Sequence, residues 1–138
     1  MNIIIDSSAV NLPKSEDFTI CMKNRIPPHI KWVRLKSITS ISTMNVFLLL
    51  QSKDYVYVNC DIIDTDVNLF NCDRSPVLSM MHIPRRVNGC VSFKFDNSSF
   101  RKLKSTELTS IRLYLTNCDQ TLITALQSFT IVYELEFC

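Results

Sequence analysis

Three groups of polar residues have types and spacings that could support chemistry, and the densest of them is acidic. Asp61, Asp64 and Asp66 follow the pattern D-x-x-D-x-D. Carboxylates at this spacing could bind a hard cation, but an EF-hand loop also needs a central glycine and a terminal glutamate, and both are missing. The alternative, which we favour, is a strand that ends in a solvated loop. We therefore expect no metal ion and no other cofactor.

The two histidines, His29 and His82, are not spaced for catalysis or for metal binding. His29 follows two prolines, and His82 lies in the apolar run SPVLSMMHIP. An imidazole that acts as a base or a ligand works with partners at a defined spacing, and neither histidine has them. The single glycine, Gly89, also excludes glycine-rich phosphate loops and the G-x-S-x-G elbow. The sequence therefore predicts a protein that is not an enzyme.

The third group is basic and comprises Arg101, Lys102 and Lys104, with Arg85 and Arg86 earlier in the chain. Such a cluster could contact phosphate. Nucleic-acid-binding modules usually carry a denser basic stripe with interleaved aromatic residues, and the net charge of this chain is only +2. We expect a solvated face, with nucleic-acid contact kept as an alternative.

Length and composition indicate one domain, residues 1–138, with 46% hydrophobic residues and an ample core. The start, MNIIIDSSAV, lacks a secretory signal, and the longest apolar run, Val46 to Leu50, is too short to cross a bilayer. We expect neither secretion nor membrane insertion. The six cysteines include no C-x-x-C pair, so we expect reduced, buried thiols, with disulfides as the alternative.

The elements that must position these residues are strands. The chain has only two alanines, and apolar residues alternate with polar ones in several runs, most clearly in FTIVYELEF at the end. This alternation is typical of antiparallel sheets with one buried face. We predict strands near 2–6, 17–23, 31–41, 45–50, 55–63, 77–83, 89–95, 109–116 and 128–137, a tight turn at Asn88-Gly89, and a helical turn or long loop over Phe100 to Ser110.

Three strand patterns carry a resemblance to a known family. They are the tryptophan-led run WVRLKSI from Trp32, the run YVYVNCDII from Tyr55, and the segment SPVL from Ser75. In this order they resemble the jelly-roll capsid proteins of Polinton/Maverick elements, adintoviruses and virophages, chiefly the minor, penton-type protein. The family usually has a glycine in the loop before the last segment, and this chain has none between Asp64 and Arg74.

The resemblance implies a single jelly-roll β-sandwich of two antiparallel four-stranded sheets. It implies a structural capsid component, a penton-type subunit at fivefold vertices. Such a subunit would form a homopentamer, abut a double-jelly-roll major capsid protein, and enter the virion after assembly in the nucleus or cytoplasm. The predicted interface residues are Leu69, Phe70, Met80, Met81, His82, Arg101, Lys102 and Lys104.

Other functions stay open beside this one. The chain could be a smaller accessory jelly roll or a co-opted relative of the capsid proteins. It could also be a non-enzymatic β-sandwich binding module that recognises a protein or a carbohydrate, for which Trp32 would be one platform. We otherwise expect Trp32 to be an anchor in the core or at a sheet edge. A strand order of B-I-D-G and C-H-E-F would favour the capsid function, and an immunoglobulin-like order the binding module.

Overall fold

The computed structural model describes residues 1–9, 14–41, 55–65, 76–82, 91–95, 98–105, 107–117, 119–124 and 130–138. Within these ranges the chain is all-β, with one short 3₁₀ helix at Ser7–Ala9. The strands are β1 (Asn2–Asp6), β2 (Asp17–Cys21), β3 (Trp32–Ile41), β4 (Tyr55–Cys60), β5 (Val77–His82), β6 (Val91–Lys94), β7 (Arg101–Lys102), β8 (Ser110–Thr116) and β9 (Thr130–Phe137).

The strands form two antiparallel sheets. The first has the order β1-β9-β3-β6, and the two-residue β7 also pairs with β3; the second has the order β2-β8-β4-β5. When the eight strands other than β7 are lettered B to I along the chain, these orders read B-I-D-G and C-H-E-F. This is the jelly-roll arrangement, so the predicted fold class is confirmed. The first sheet has five strands where four were predicted, because β7 joins it.

Strict alternation explains why the central strands form where the sequence predicts them. In β9, Ile131, Tyr133, Leu135 and Phe137 are buried, and the residues between them are half-buried on the other face. This strand lies between β1 and β3, so its apolar face packs inward along its whole length. The buried side chains of both sheets form one core cluster.

The segment after Phe100 differs from its prediction as a helical turn or long loop. Arg101 and Lys102 pair with Val33 and Trp32, and Leu103 bridges to Ile63. The Leu103 N–H donates to the Lys31 carbonyl at 2.8 Å, and the Lys104 N–H donates to the Ile62 carbonyl at 2.9 Å. Backbone groups that must be paired when buried thus bind this segment to β3 on one side and to the end of β4 on the other.

Two predicted elements cannot be compared with the fold. The predicted strand at 45–50 and the predicted turn at Asn88-Gly89 lie outside the described residues. The other predicted strands agree with β1 to β6, β8 and β9 within three residues at each end.

Candidate interaction surface

The outer face of the second sheet carries a cluster of large side chains at its β4–β5 end. Val56 and Val58 of β4 face the core, so alternation turns Tyr55 and Tyr57 outward. The register pairs Tyr55 with His82 and Tyr57 with Met80. We call these four residues, Tyr55, Tyr57, Met80 and His82, the Tyr–Met–His patch.

The patch presents apolar surface next to an edge strand. Tyr55 is 44% and Met80 is 47% exposed, and the rings of Tyr55 and His82 meet edge-on at 5.1 Å between centroids. In the described part of the chain, β5 pairs only with β4. Exposed aromatic and methionine side chains grouped in this way are typical of protein interaction sites.

A buried polar network lies next to the patch, between β4 and β8. Asn59 is fully buried between the paired strands, and its side-chain amide donates to Thr116 Oγ1 at 3.0 Å and to the Tyr114 carbonyl at 3.3 Å. No described residue donates to its Oδ1. A buried amide oxygen without a hydrogen bond lowers the stability of the fold, so Asn59 is a destabilising residue beneath this face.

The far end of the same face is charged and internally paired. Arg112 donates two hydrogen bonds to the Asp17 carboxylate, each at 2.8 Å, and its guanidinium lies over the Tyr114 ring at 4.3 Å. The hydrogen bond to Asp17 raises the pKa of Arg112, while burial raises the pKa of Tyr114. This end therefore has its charges satisfied, which leaves the Tyr–Met–His patch as the apolar part of the face.

The outer face of the first sheet is polar by comparison. Glu136 forms an ion pair with Arg34, and Glu134 contacts Lys36 at 3.8 Å and the Ser37 hydroxyl at 3.2 Å. Cross-strand pairs of opposite charge on one sheet face suit solvent. The middle of this face is therefore charged, although Ile4 and Trp32 are exposed on it, whereas the β4–β5 end of the second sheet carries the Tyr–Met–His patch.

A smaller aromatic corner lies at the start of β3. Trp32 is 45% exposed beside Lys102, its cross-strand partner. Its backbone exchanges two hydrogen bonds with Cys138, each at 2.9 Å, so Trp32 is neither in the core nor on an edge strand, but exposed on the outer face of the first sheet. Phe100 is also exposed, and the Arg34 guanidinium stacks on its ring at 4.7 Å. This corner is separate from the Tyr–Met–His patch, since it belongs to the other sheet.

The predicted interface residues fall into different places. Met80 and His82 belong to the Tyr–Met–His patch, and Lys102 and Lys104 are exposed. Leu69 and Phe70 lie outside the described residues. The sequence prediction missed Tyr55 and Tyr57, although the alternation Y-V-Y-V could have indicated them, because only one of its two faces can be buried.

Two of the predicted interface residues, Met81 and Arg101, are buried and do not lie on the surface. Met81 is 2% exposed and packs in the core, because it pairs with the inward-facing Val56. Arg101 is 3% exposed; its guanidinium runs from β7 of the first sheet to the Val77 carbonyl at the start of β5 in the second. Burial lowers the pKa of Arg101. Neither side chain is exposed enough to contact a partner. In the basic segment from Arg101 to Lys104, only the two lysine side chains are exposed.

The acidic group behaves as a strand end. Asp61 follows β4 in a turn, its Oδ1 accepts from the Arg112 backbone N–H at 2.9 Å, and its carbonyl accepts from the Lys104 ammonium at 2.9 Å. Asp61 and Asp64 both line an open cleft of about 480 Å³. Asp66 lies outside the described residues. No three His, Cys, Asp or Glu residues of the described ranges are grouped so that they could hold a metal ion.

Comparisons with known proteins add no relative. No family model, no curated protein and no solved structure matches this chain. Among the described residues, no helix is long and apolar enough to cross a membrane.

Proposed function

We propose that this protein is a structural capsid component, a penton-type vertex subunit of a Polinton- or adintovirus-like particle, which acts by self-assembly and not by turnover. The observation that carries the proposal is the B-I-D-G and C-H-E-F strand order, because viral capsid proteins are among the chief users of the jelly roll. The motif resemblance that begins at Trp32 and at Tyr55 supports the same identity. A fold alone does not determine a function, so a surface suited to assembly is also required.

The Tyr–Met–His patch is the surface that we assign to assembly. A closed ring of five copies uses heterologous contacts, in which each interface joins two different surfaces. Tyrosine and methionine are enriched at protein interfaces, so the patch supplies one surface. We assign the exposed Lys102 and Lys104 of the next copy to the second, since an ammonium can lie over a tyrosine ring. The vertex would abut the double-jelly-roll major capsid protein in the virion.

Electron microscopy of the purified chain tests this function. We expect rings of five copies in negative stain, either from the chain alone or after the double-jelly-roll major capsid protein is added. Single copies under both conditions, at every concentration that stays soluble, would overturn the proposal.

A second candidate is a non-enzymatic binding module for a protein or a carbohydrate, and the exposed Trp32 and Phe100 favour it. Exposed rings offer a rigid apolar platform with little side-chain entropy to lose. Screening the chain on a glycan array tests the carbohydrate form. Binding that Trp32→Ala abolishes and that Met80→Ala preserves would favour this module, whereas no binding by the intact chain would exclude its carbohydrate form.

A further inference from the structure

A groove between the first strands of the two sheets has the features of a peptide-binding site. It has a volume of about 480 Å³ and lies between β1 and β2, each of which is the first strand in the order of its sheet. Its apolar lining includes Ile3, Ile20 and Met22, which are partly buried and pack against the core. The sandwich is thus open on this side, with core side chains at the bottom of the opening.

The backbone of β1 turns hydrogen-bonding groups toward this groove. Met1 and Phe137 exchange two hydrogen bonds, at 2.9 and 2.7 Å. In an antiparallel pair, hydrogen-bonded and non-hydrogen-bonded positions alternate, so Ile3 and Ile5 also bond to β9. The N–H and C=O groups of Asn2 and Ile4 therefore point to the open edge. Ile4 is 71% exposed, and in the described ranges no strand pairs with that edge.

The backbone of β2 likewise has N–H and C=O groups that point away from its neighbouring strand, β8. Met22 N–H bonds to the Thr109 carbonyl at 2.9 Å, and Leu115 N–H bonds to the Glu16 carbonyl at 2.8 Å. Alternation again turns the neighbouring positions, Thr19 and Cys21, away from β8. Two free edges thus flank one apolar floor, which is the geometry that strand addition uses: the backbone supplies affinity and alternate side chains enter the floor.

The charges at the rim indicate which peptide would fit. Lys23 and Arg25 line the groove and are exposed, and no acidic residue is among its described lining. Neither cation forms an ion pair within the described residues. We propose that the β1–β2 groove binds an extended peptide of alternating apolar and acidic residues, which adds as a strand to the free edge of β1. This site does not depend on the capsid function, because one copy of the chain contains all of it.

A labelled peptide tests the site directly. The probe is fluorescein-labelled TIVYELEF, the sequence of β9, because its second half, YELEF, alternates apolar with acidic residues. We expect saturable anisotropy with the purified full chain, and binding weaker by at least about tenfold, or about 1.4 kcal/mol, for the probe with lysine at both glutamate positions. No saturable binding up to about 1 mM, or equal binding of the two probes, would overturn the proposal.

Two sets of variants separate backbone pairing from charge. Ile4→Pro removes an N–H that faces the open edge and not β9, a position where a strand tolerates proline, while Ile4→Thr removes the same apolar side chain and keeps the N–H. We expect Ile4→Pro to weaken binding at least about tenfold relative to Ile4→Thr; equal binding by the two would refute strand addition. The exposed pair Lys23→Glu and Arg25→Glu should reverse the preference between the two probes, and an unchanged preference would refute the charge argument.

Discussion

Removing one buried hydroxyl should stabilise this fold. Tyr133 lies in the middle of β9, is fully buried, and has its ring 6.0 Å from that of Phe18. No residue that the structure describes is a hydrogen-bond partner of its hydroxyl. Burying a polar group without a partner costs about 1–3 kcal/mol, whereas the space left by one oxygen costs only a few tenths of a kcal/mol. Tyr133→Phe should therefore raise the free energy of unfolding by about 1 kcal/mol.

Urea unfolding followed by circular dichroism measures this change, and thermal unfolding should show a midpoint roughly 3–5 °C higher. Tyr133→Leu is the matched control: it also removes the hydroxyl, but it loses the ring that packs on Phe18, so it should destabilise the chain by about 2 kcal/mol or more. A Tyr133→Phe protein that is less stable than the parent by about 1 kcal/mol would refute the reasoning, because it would mean that the hydroxyl is bonded.

The pH dependence gives a second readout of the same side chain. Burial raises the pKa of Tyr133 above its ordinary value. The folded chain therefore holds the phenol proton where the unfolded chain, with a pKa of about 10, releases it. Stability is unaffected by this group below about pH 10 and falls as the pH rises further. Tyr133→Phe should show a smaller fall above about pH 10 than the parent, and equal slopes would contradict the burial of the phenol.

Two further predictions concern buried polar groups. Arg101→Ala should destabilise the chain by about 2–4 kcal/mol in urea unfolding, because it removes a charged donor that joins the two sheets and leaves a cavity. The control is Lys102→Ala, at the exposed neighbouring position, which should change the free energy of unfolding by no more than about 0.5 kcal/mol. Equal effects of the two substitutions would show that Arg101 is not buried. Burial raises the pKa of the Cys60 thiol to about 12. At pH 8 a maleimide should therefore label the exposed Cys21 and Cys138 but not Cys60 until the chain unfolds, which peptide mass spectrometry can measure. Rapid labelling of Cys60 in the folded chain would contradict its burial.

The long central strands could be predicted from sequence because their pattern is set locally. β9 alternates over its whole length, so its position and buried face follow from the residues themselves. β7 could not be predicted in this way. It has two residues, and it is a strand only because Trp32 and Val33, distant in sequence, lie beside it.

The interaction surface could be predicted only in part, for a related reason. Met80 and Met81 are adjacent and chemically the same, and the pairing with β4 decides that Met80 faces out and Met81 faces in. Arg101 lies in the basic run RKLK, where a charge is normally solvated. Its burial depends on the carbonyl of Val77, which the other sheet supplies.

The central claim is that copies of this chain assemble through the Tyr–Met–His patch, and size-exclusion chromatography with light scattering tests it most directly. We expect the parent, alone or after the double-jelly-roll major capsid protein is added, to contain five copies of the 15.9 kDa chain. Met80→Asp places a charge in the patch and should shift the mass toward one copy, since a desolvated unpaired charge is costly at an interface. Thr19→Asp, an exposed position on the far strand of the same sheet, should leave the pentamer intact. A parent mass of one copy at every soluble concentration, both alone and with the double-jelly-roll major capsid protein added, or a Met80→Asp pentamer as stable as the parent, would contradict the account.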